Sequence, residues 1–157
     1  MRFDLSKLEI APLAEPDLAS IMQMAELLEE APHWPLDSYA ELTAKNPSVP
    51  RITLVARDKQ AGEAIGFVTA RLVPPEAELE SVGVRKDFQR CGVGRRLLAA
   101  LSRELSRQGV ETVYLEVRAS NLAALGLYRT FGFAQTGSRP SYYTDPVEDA
   151  VLMSLQV

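Results

Sequence analysis

The sequence is poor in the residues and runs on which disulfide, metal and membrane chemistry depend. Its 157 residues include a single cysteine, Cys91, which excludes an intrachain disulfide and a cysteine-rich metal framework. Its apolar runs are shorter than the roughly 18 residues that a membrane-spanning helix needs, and the N-terminus shows no basic-then-apolar export signal. We therefore expect a cytoplasmic protein with no metal and no membrane partner, whose folding depends on packing alone.

Positive charge is also scarce. Lys and Arg number 17 against 21 Asp and Glu, giving a formal net charge of -4. Nucleic-acid binding needs many Lys and Arg to displace phosphate counterions, so we expect no direct nucleic-acid partner. An acidic protein attracts basic partners, although solubility alone explains the same balance. With 46% hydrophobic and 24% charged residues, the chain has the composition of a folded protein, and its length fits one domain over residues 1–157.

Hydrophobic periodicity predicts a mixed α/β sheet with helices on its faces. The most regular helical stripe consists of Leu97, Leu98, Leu101 and Leu105, and Gly109 follows it as a C-terminal cap. A later helix over 121–131 has Ser120 as its expected cap. The other predicted helices cover 17–30 and 37–45, and the predicted strands cover 7–11, 51–57, 64–73, 77–84, 113–117, 133–139 and 150–155.

A glycine-containing loop joins a predicted strand to the most regular helix. It reads Gln89-Arg90-Cys91-Gly92-Val93-Gly94. Glycines there let several amide N–H groups converge at a helix N-terminus, an arrangement that binds phosphate, and Arg95 and Arg96 strengthen the field. An ordinary tight turn explains a lone Gly-x-Gly equally well. The loop lacks the Lys-Ser/Thr of a nucleoside-triphosphate site and the third glycine of a dinucleotide site, and we interpret Cys91 as incidental.

Two further sets of residues are candidates for chemistry. Asn121 and Tyr128 lie seven positions, about two turns, apart on one helical face, although a helical tyrosine is usually a core aromatic. Glu78 and Glu80 are expected on the same strand face as Val82 and Val84, and Glu116 sits inside an apolar strand. A carboxylate can deprotonate an attacking amine. The alternative, a solvated sheet face, is favoured for Glu80 but not for Glu116; whether Glu78 or Glu80 assists Glu116 stays open.

These motifs together resemble the GNAT superfamily of N-acetyltransferases. Gln89, Gly92 and Gly94 match its phosphate-loop pattern, and a second family pattern is matched by Asn121, Ala124, Leu127, Tyr128, Gly132 and Phe133. The resemblance implies a mixed, mostly antiparallel sheet of six to seven strands flanked by about four helices and splayed between strands 4 and 5. It also implies an acetyl-CoA site formed by Val82, Gly83, Val84, Gln89, Arg90, Cys91, Gly92, Val93, Gly94, Arg95, Asn121, Ala124 and Tyr128.

From residue 76 onward the chain is more specifically similar to the ribosomal-protein-alanine N-acetyltransferases. The similarity lies in Leu115-Glu116-Val117-Arg118-Ala119-Ser120-Asn121, in Tyr142-Tyr143, and in Glu148-Asp149-Ala150 with Met153. It implies that Glu116 is the general base for an incoming α-amine and that Tyr128 is the general acid for the departing thiolate. The amine would attack acetyl-CoA directly, in a ternary complex.

The predicted function is therefore acetyl transfer to the N-terminal α-amine of a protein, with a basic ribosomal tail that starts with alanine as the favoured acceptor. Trp34, Glu78, Glu80, Tyr142 and Tyr143 are the expected acceptor-binding residues, and acidic Glu76, Glu148 and Asp149 are expected to attract the tail. One alternative is an acetyltransferase for a small amine or a lysine side chain. A second is a CoA-binding module without turnover. The oligomeric state is open.

Overall fold

A computed structural model describes residues 2–28, 36–45 and 47–157. Within these ranges the chain forms one seven-stranded sheet in the order β1-β2-β3-β4-β5-β7-β6 and four α-helices. The strands are β1 Leu8–Pro12, β2 Arg51–Asp58, β3 Ala64–Val73, β4 Glu76–Val84, β5 Thr112–Arg118, β6 Ala134–Tyr143 and β7 Glu148–Gln156. The helices are α1 Leu18–Leu27, α2 Leu36–Glu41, α3 Val93–Arg107 and α4 Leu122–Phe131. The predicted fold class is confirmed.

The gap between β4 and β5 is the feature of the sheet that matters most for the site. The other neighbouring strands pair antiparallel, whereas β4 and β5 run parallel and pair only from Glu76 with Thr112 to Glu78 with Tyr114. Beyond these three pairs the strands diverge toward their C-terminal ends. The main chain of β4 after Glu78 therefore faces an opening that β5 does not fill, which confirms the expected splay.

Each face of the sheet has its own hydrophobic core. On one face α3 contributes Val93, Leu97, Leu98, Leu101 and Leu105, which lie on one side of the helix and form one buried stripe. Helix α4 joins the same cluster. On the other face α1 packs against β2 and β3 in a smaller cluster. The two helix layers thus hold the sheet between them.

A bulge in β4 changes which side chains face the site. The pairing of β3 with β4 skips Glu80, and a skipped residue breaks the alternation of a strand. As a result, both Leu79 and Val82 pack into the core that contains α3. Glu78 and Glu80 lie on the opposite face, so the expectation that they share a face with Val82 and Val84 is wrong.

Element boundaries differ modestly from the predictions. Helix α1 ends at Leu27, and residues 29 and 30 of the predicted helix lie outside the described ranges. Helix α2 ends at Glu41 and not at residue 45, because turn hydrogen bonds of the i to i+3 type follow it, including Ala44 N–H to the Glu41 carbonyl at 3.2 Å. Strand β6 runs to Tyr143, four residues beyond its predicted end. No helix in the described ranges is both long and apolar enough to cross a membrane.

Candidate active site

A groove of about 460 Å³ crosses the sheet where β4 and β5 begin to separate. Glu78 of β4 and Glu116 of β5, both predicted site residues, line it together. Two arginines that sequence reasoning did not single out, Arg71 of β3 and Arg139 of β6, also line it. The groove therefore combines carboxylates and guanidinium groups on one surface.

Glu116 reaches the groove because β5 alternates. Its neighbours Leu115 and Val117 are buried in the core, which turns the intervening Glu116 to the other face. The carboxylate lies 3.4 Å from the guanidinium of Arg139. It also raises the pKa of Tyr142, first through hydrogen bonding and then through its negative charge. Glu116 therefore lies on the surface of the groove beside Arg139, and its catalytic role stays a prediction.

Tyr142 and Tyr143 form an edge-to-face pair at the end of β6. Their ring centroids lie 5.1 Å apart. The guanidinium of Arg139 lies 5.4 Å from the Tyr142 ring, and that of Arg118 lies 4.4 Å from the Tyr143 ring. Burial raises the pKa of Tyr143, and the negative charge of Glu116 raises it further. Both predicted acceptor tyrosines are therefore close to Glu116.

Tyr128 is a residue of α4 whose side chain packs into the core. It is only 7% exposed, and its ring packs edge-on against Phe133 at 5.6 Å. Burial raises the pKa of Tyr128 above its ordinary value, and Tyr143 adds to this effect. The ring is therefore part of the core, and the hydroxyl retains its proton at neutral pH.

The predicted phosphate loop has the backbone geometry that the anion interpretation requires. Gly92, with φ +92°, is the N-cap of α3 in the left-handed conformation, which residues with a Cβ adopt at a cost. The bond of the Arg96 N–H to the Gly92 carbonyl, at 3.1 Å, begins the helix. The N–H groups of Val93, Gly94 and Arg95 therefore have no partner within the helix.

Side chains around this loop hold it in place. The Gln89 side-chain amide donates to the Val84 carbonyl at 2.9 Å, which ties the loop to the end of β4. The thiol of Cys91 lies 3.5 Å from the Gln89 carbonyl. A Cβ on Gly94 would lie 3.1 Å from the Leu127 side chain, so this glycine lets α3 approach α4. Arg90, Arg95 and Arg96 are exposed and form no ion pair with any carboxylate of the described chain.

Gly83 also serves close packing. A Cβ there would lie 2.7 Å from the Phe67 ring, closer than side-chain atoms tolerate. The main chain of Val82, Gly83 and Val84 can therefore border the gap while the strand stays pressed against the smaller core.

Asn121 caps α4, which corrects the prediction that Ser120 does so. The Asn121 side-chain oxygen accepts from the Ala124 N–H at 3.1 Å. The N–H of Ser120 instead donates to the Glu148 carboxylate at 2.6 Å. A distant residue thus holds Ser120, and the next position takes over the cap.

The remaining acceptor candidates differ in their surroundings. Glu80 is bonded through both oxygens to Arg51, at 2.6 and 3.3 Å, and is absent from the groove lining. Glu78 forms an ion pair with Arg71 at 3.3 Å in which both side chains are 45% exposed. Trp34 lies outside the described residues.

Glu148 and Asp149 accept hydrogen bonds from the chain's own backbone. Glu148 accepts from the Ser120 N–H, and Asp149 accepts from the Ser141 N–H at 2.8 Å. In the described ranges, no group of three or more His, Cys, Asp or Glu is arranged to hold a metal ion.

Comparison with known proteins agrees with this architecture. The profile of the acetyltransferase (GNAT) family matches residues 19–133, and the chain belongs to this family. It is 45% identical over 100 residues to the ribosomal protein bS18-alanine N-acetyltransferase of Escherichia coli strain K12, covering 62% of this chain and 68% of that protein. The corresponding Salmonella typhimurium protein is 44% identical over 108 residues, covering 68% and 70%.

Solved structures show the same fold over nearly the whole chain. The ribosomal-protein-S18-alanine N-acetyltransferase from Escherichia coli superposes with a TM-score of 0.79 at 35% identity, covering 96% of this chain and 94% of that one. Arabidopsis thaliana NAA60 in complex with acetyl-CoA reaches a TM-score of 0.82 at 18% identity, covering 96% and 99%, which shows the fold alone. As a member of this family, the chain is an acetyl-CoA-dependent N-acetyltransferase.

Proposed function

We propose that the single domain formed by residues 1–157 acetylates the N-terminal α-amine of a protein, and that its acceptor is a ribosomal protein that starts with alanine. The observation that carries this proposal is the placement of Glu116 on the groove beside the β4–β5 gap, with Tyr142 and Tyr143 next to it. The identity to proteins named as ribosomal protein bS18-alanine N-acetyltransferases supports the acceptor class. Ribosomal proteins are made in the cytoplasm, and we propose the same location for this enzyme.

The chain offers a binding surface that fits acetyl-CoA. The unpaired N–H groups at the start of α3 and the exposed Arg90 and Arg95 suit a pyrophosphate. The main chain of Val82, Gly83 and Val84, at the open side of β4, suits an extended arm that bonds like an added strand. Asn121 and Ala124, at the start of α4, would border that arm. Gln89 and Cys91 then shape the loop and leave the anion contacts to the backbone.

In the proposed reaction Glu116 and Tyr128 move the protons. Bound acetyl-CoA supplies the thioester that the amine attacks. Glu116 takes a proton from the acceptor's ammonium, which frees its lone pair. Main-chain N–H groups near Val82 donate to the carbonyl oxygen as negative charge develops there. Tyr128, which burial keeps protonated, gives its proton to the leaving sulfur, and the second proton lost by the attacking nitrogen restores the phenol. Because the amine attacks the thioester directly, no acetyl-enzyme forms.

The acceptor would enter along the groove. Tyr142 and Tyr143 provide aromatic faces and hydroxyl groups for its first residues, and exposed Glu76 and Glu78 provide negative charge for a basic tail. Trp34 stays in the proposal from sequence alone. We assign Glu80 to the framework, because its pairing with Arg51 leaves it no free oxygen for the acceptor.

The decisive experiment measures CoA release with a peptide that carries the N-terminus of the host's own bS18-type protein. The same peptide blocked at its α-amine is the matched control, and a third peptide with a blocked terminus and an added lysine tests side-chain acetylation. Turnover of the free-terminus peptide alone supports the proposal. Turnover of the lysine peptide, or only of small amines, contradicts the acceptor class. Acetyl-CoA binding without turnover of any amine contradicts an enzymatic role.

A further inference from the structure

Arg118, the last residue of β5, joins three parts of the chain beside the proposed active site. Its guanidinium lies 4.4 Å from the Tyr143 ring centroid. One of its nitrogens is 3.3 Å from the Glu148 carboxylate and 3.2 Å from the Pro146 carbonyl. A planar guanidinium can stack on a ring and bond in its own plane at the same time, and Arg118 makes both kinds of contact.

Glu148 extends this connection to the turn between β5 and α4. While one of its oxygens faces Arg118, the other accepts from the Ser120 N–H at 2.6 Å. The Ser120 hydrogen bond has the largest effect in lowering the pKa of Glu148, and the hydrogen bond and positive charge of Arg118 lower it further. The carboxylate of the following residue, Asp149, accepts from the Ser141 N–H at 2.8 Å, and its main-chain carbonyl accepts from the Ala119 N–H at 3.1 Å. The start of β7 is thereby fastened to the two residues that follow Arg118.

These contacts fix the position of Tyr143. Burial and the negative charge of Glu116 raise its pKa, and Tyr143 in turn raises the pKa of Tyr128. Arg139 connects the two tyrosines to the proposed base, because its guanidinium lies 5.4 Å from the Tyr142 ring centroid and 3.4 Å from the Glu116 carboxylate. Tyr142, whose ring packs on that of Tyr143, moves with it.

We propose that Arg118 is a positioning residue for the acceptor: by stacking on Tyr143 and binding Glu148, it holds the tyrosine pair at the distance from Glu116 that the acceptor amine requires. The proposal rests on the proposed function, because it takes Glu116 and Tyr128 as base and acid. The Arg118–Glu148 pair has side chains 32% and 16% exposed, and Glu148 keeps its hydrogen bond from the Ser120 N–H when Arg118 is replaced. Its loss should therefore affect acceptor kinetics more than folding.

The test replaces Arg118 with methionine, which keeps the approximate length of the side chain and removes the positive charge and the planar guanidinium group. We expect kcat/KM for the free-terminus peptide to fall by about 10- to 100-fold, as displacements near 1 Å do in enzymes. The dissociation constant of acetyl-CoA should stay unchanged. Arg118→Lys should recover part of the loss, because lysine restores the charge beside Glu148 and the cation over the ring.

Arg57→Met is the matched control, since Arg57 also forms an ion pair, with the buried Asp17, but on the far part of the sheet. It should lose stability and keep its acceptor kinetics. A double mutant with Tyr143→Leu adds a second check: once the ring is gone, Arg118→Met should cost much less.

Equal acceptor kinetics for Arg118→Met and Arg57→Met, relative to their shared parent, overturn the proposal. So does full additivity with Tyr143→Leu. If the parent protein acetylates a small amine and not the peptide, the proposed acceptor is wrong. In that case the kcat/KM of Arg118→Met relative to Arg57→Met, measured with that amine, still decides the role of Arg118. If Arg118→Met does not fold, the Arg118→Lys to Arg57→Lys ratio serves instead.

Discussion

An oxygen of the Glu116 carboxylate lies 3.4 Å from a nitrogen of the Arg139 guanidinium, in a pair whose side chains are 27% and 56% exposed. The cation faces the base that is proposed to receive an ammonium group. Acceptor binding must therefore replace one cation by another beside Glu116. Because Arg139 is the more exposed partner, it can withdraw toward solvent at small cost.

Replacing Glu116 by glutamine keeps the shape of the side chain and removes its capacity to take a proton. We expect kcat to fall by about 10²- to 10⁴-fold, the usual contribution of a positioned base, with acetyl-CoA affinity unchanged. Steady-state turnover and calorimetric binding measure the two quantities. Glu104→Gln, on the exposed side of α3 where it pairs with Arg107, is the control and should match the parent. An unchanged rate in Glu116→Gln would remove this residue from the mechanism.

Tyr128→Phe should keep the ring packing against Phe133 and lower kcat, because the proton donor is lost. The folded-state pKa of Tyr128 is raised above the unfolded value near 10. Its protonated form therefore stabilises the fold fully below about pH 10, and this contribution is lost as the pH rises further. Urea unfolding on either side of about pH 10 should show a smaller loss of stability in Tyr128→Phe than in the parent. An equal loss would contradict the buried phenol, and a parental kcat would contradict its role as acid.

Gly92→Ala should weaken acetyl-CoA binding, because it strains the loop at φ +92° and brings a Cβ to 3.1 Å from the Leu5 side chain. Gly109→Ala is the matched control: its φ is +84°, and no atom lies within 4 Å of the added Cβ. Both variants should lose about 1–2 kcal/mol of stability. Only Gly92→Ala should raise the acetyl-CoA dissociation constant. Equal affinities in the two variants would mean that the phosphate loop is misplaced.

Glu80→Gln and Glu78→Gln should distinguish a carboxylate that stabilises the fold from one that binds the acceptor. Glu80 bonds Arg51 through both oxygens, and we expect a loss of about 1.5–3 kcal/mol in unfolding free energy. The exposed Glu78–Arg71 pair should contribute at most about 1 kcal/mol, whereas Glu78→Gln should raise the KM for a basic peptide. Denaturant unfolding measures the loss of unfolding free energy, and turnover at increasing peptide concentration measures the KM. A stable Glu80→Gln with raised peptide KM would reverse the assignment.

Local pattern was sufficient for most of the fold and for the backbone geometry of the predicted phosphate loop. The leucine stripe of α3 and the alternation of β5 are short-range features, and each element forms where its period indicates. The phosphate-loop motif works in the same way, since its chemistry lies in consecutive backbone N–H groups beside Gly92. Glu116 stood out because a carboxylate inside an apolar strand is unusual.

Other features depend on residues far apart in the sequence, and only the tertiary structure decided them. The bulge at Glu80 arises from pairing with β3, and it moves Glu78 and Glu80 to the face opposite Val82. Glu148 occupies the Ser120 N–H from 28 positions away, which shifts the α4 cap to Asn121. Arg139 of β6 reaches Glu116 of β5 across β7, which lies between their two strands. The periodicity of a segment predicts which of its side chains are buried. Strand register and ion pairs depend instead on which strands become neighbours. The sequence by itself therefore determined the helices and strands, and only the tertiary structure decided which residues pair.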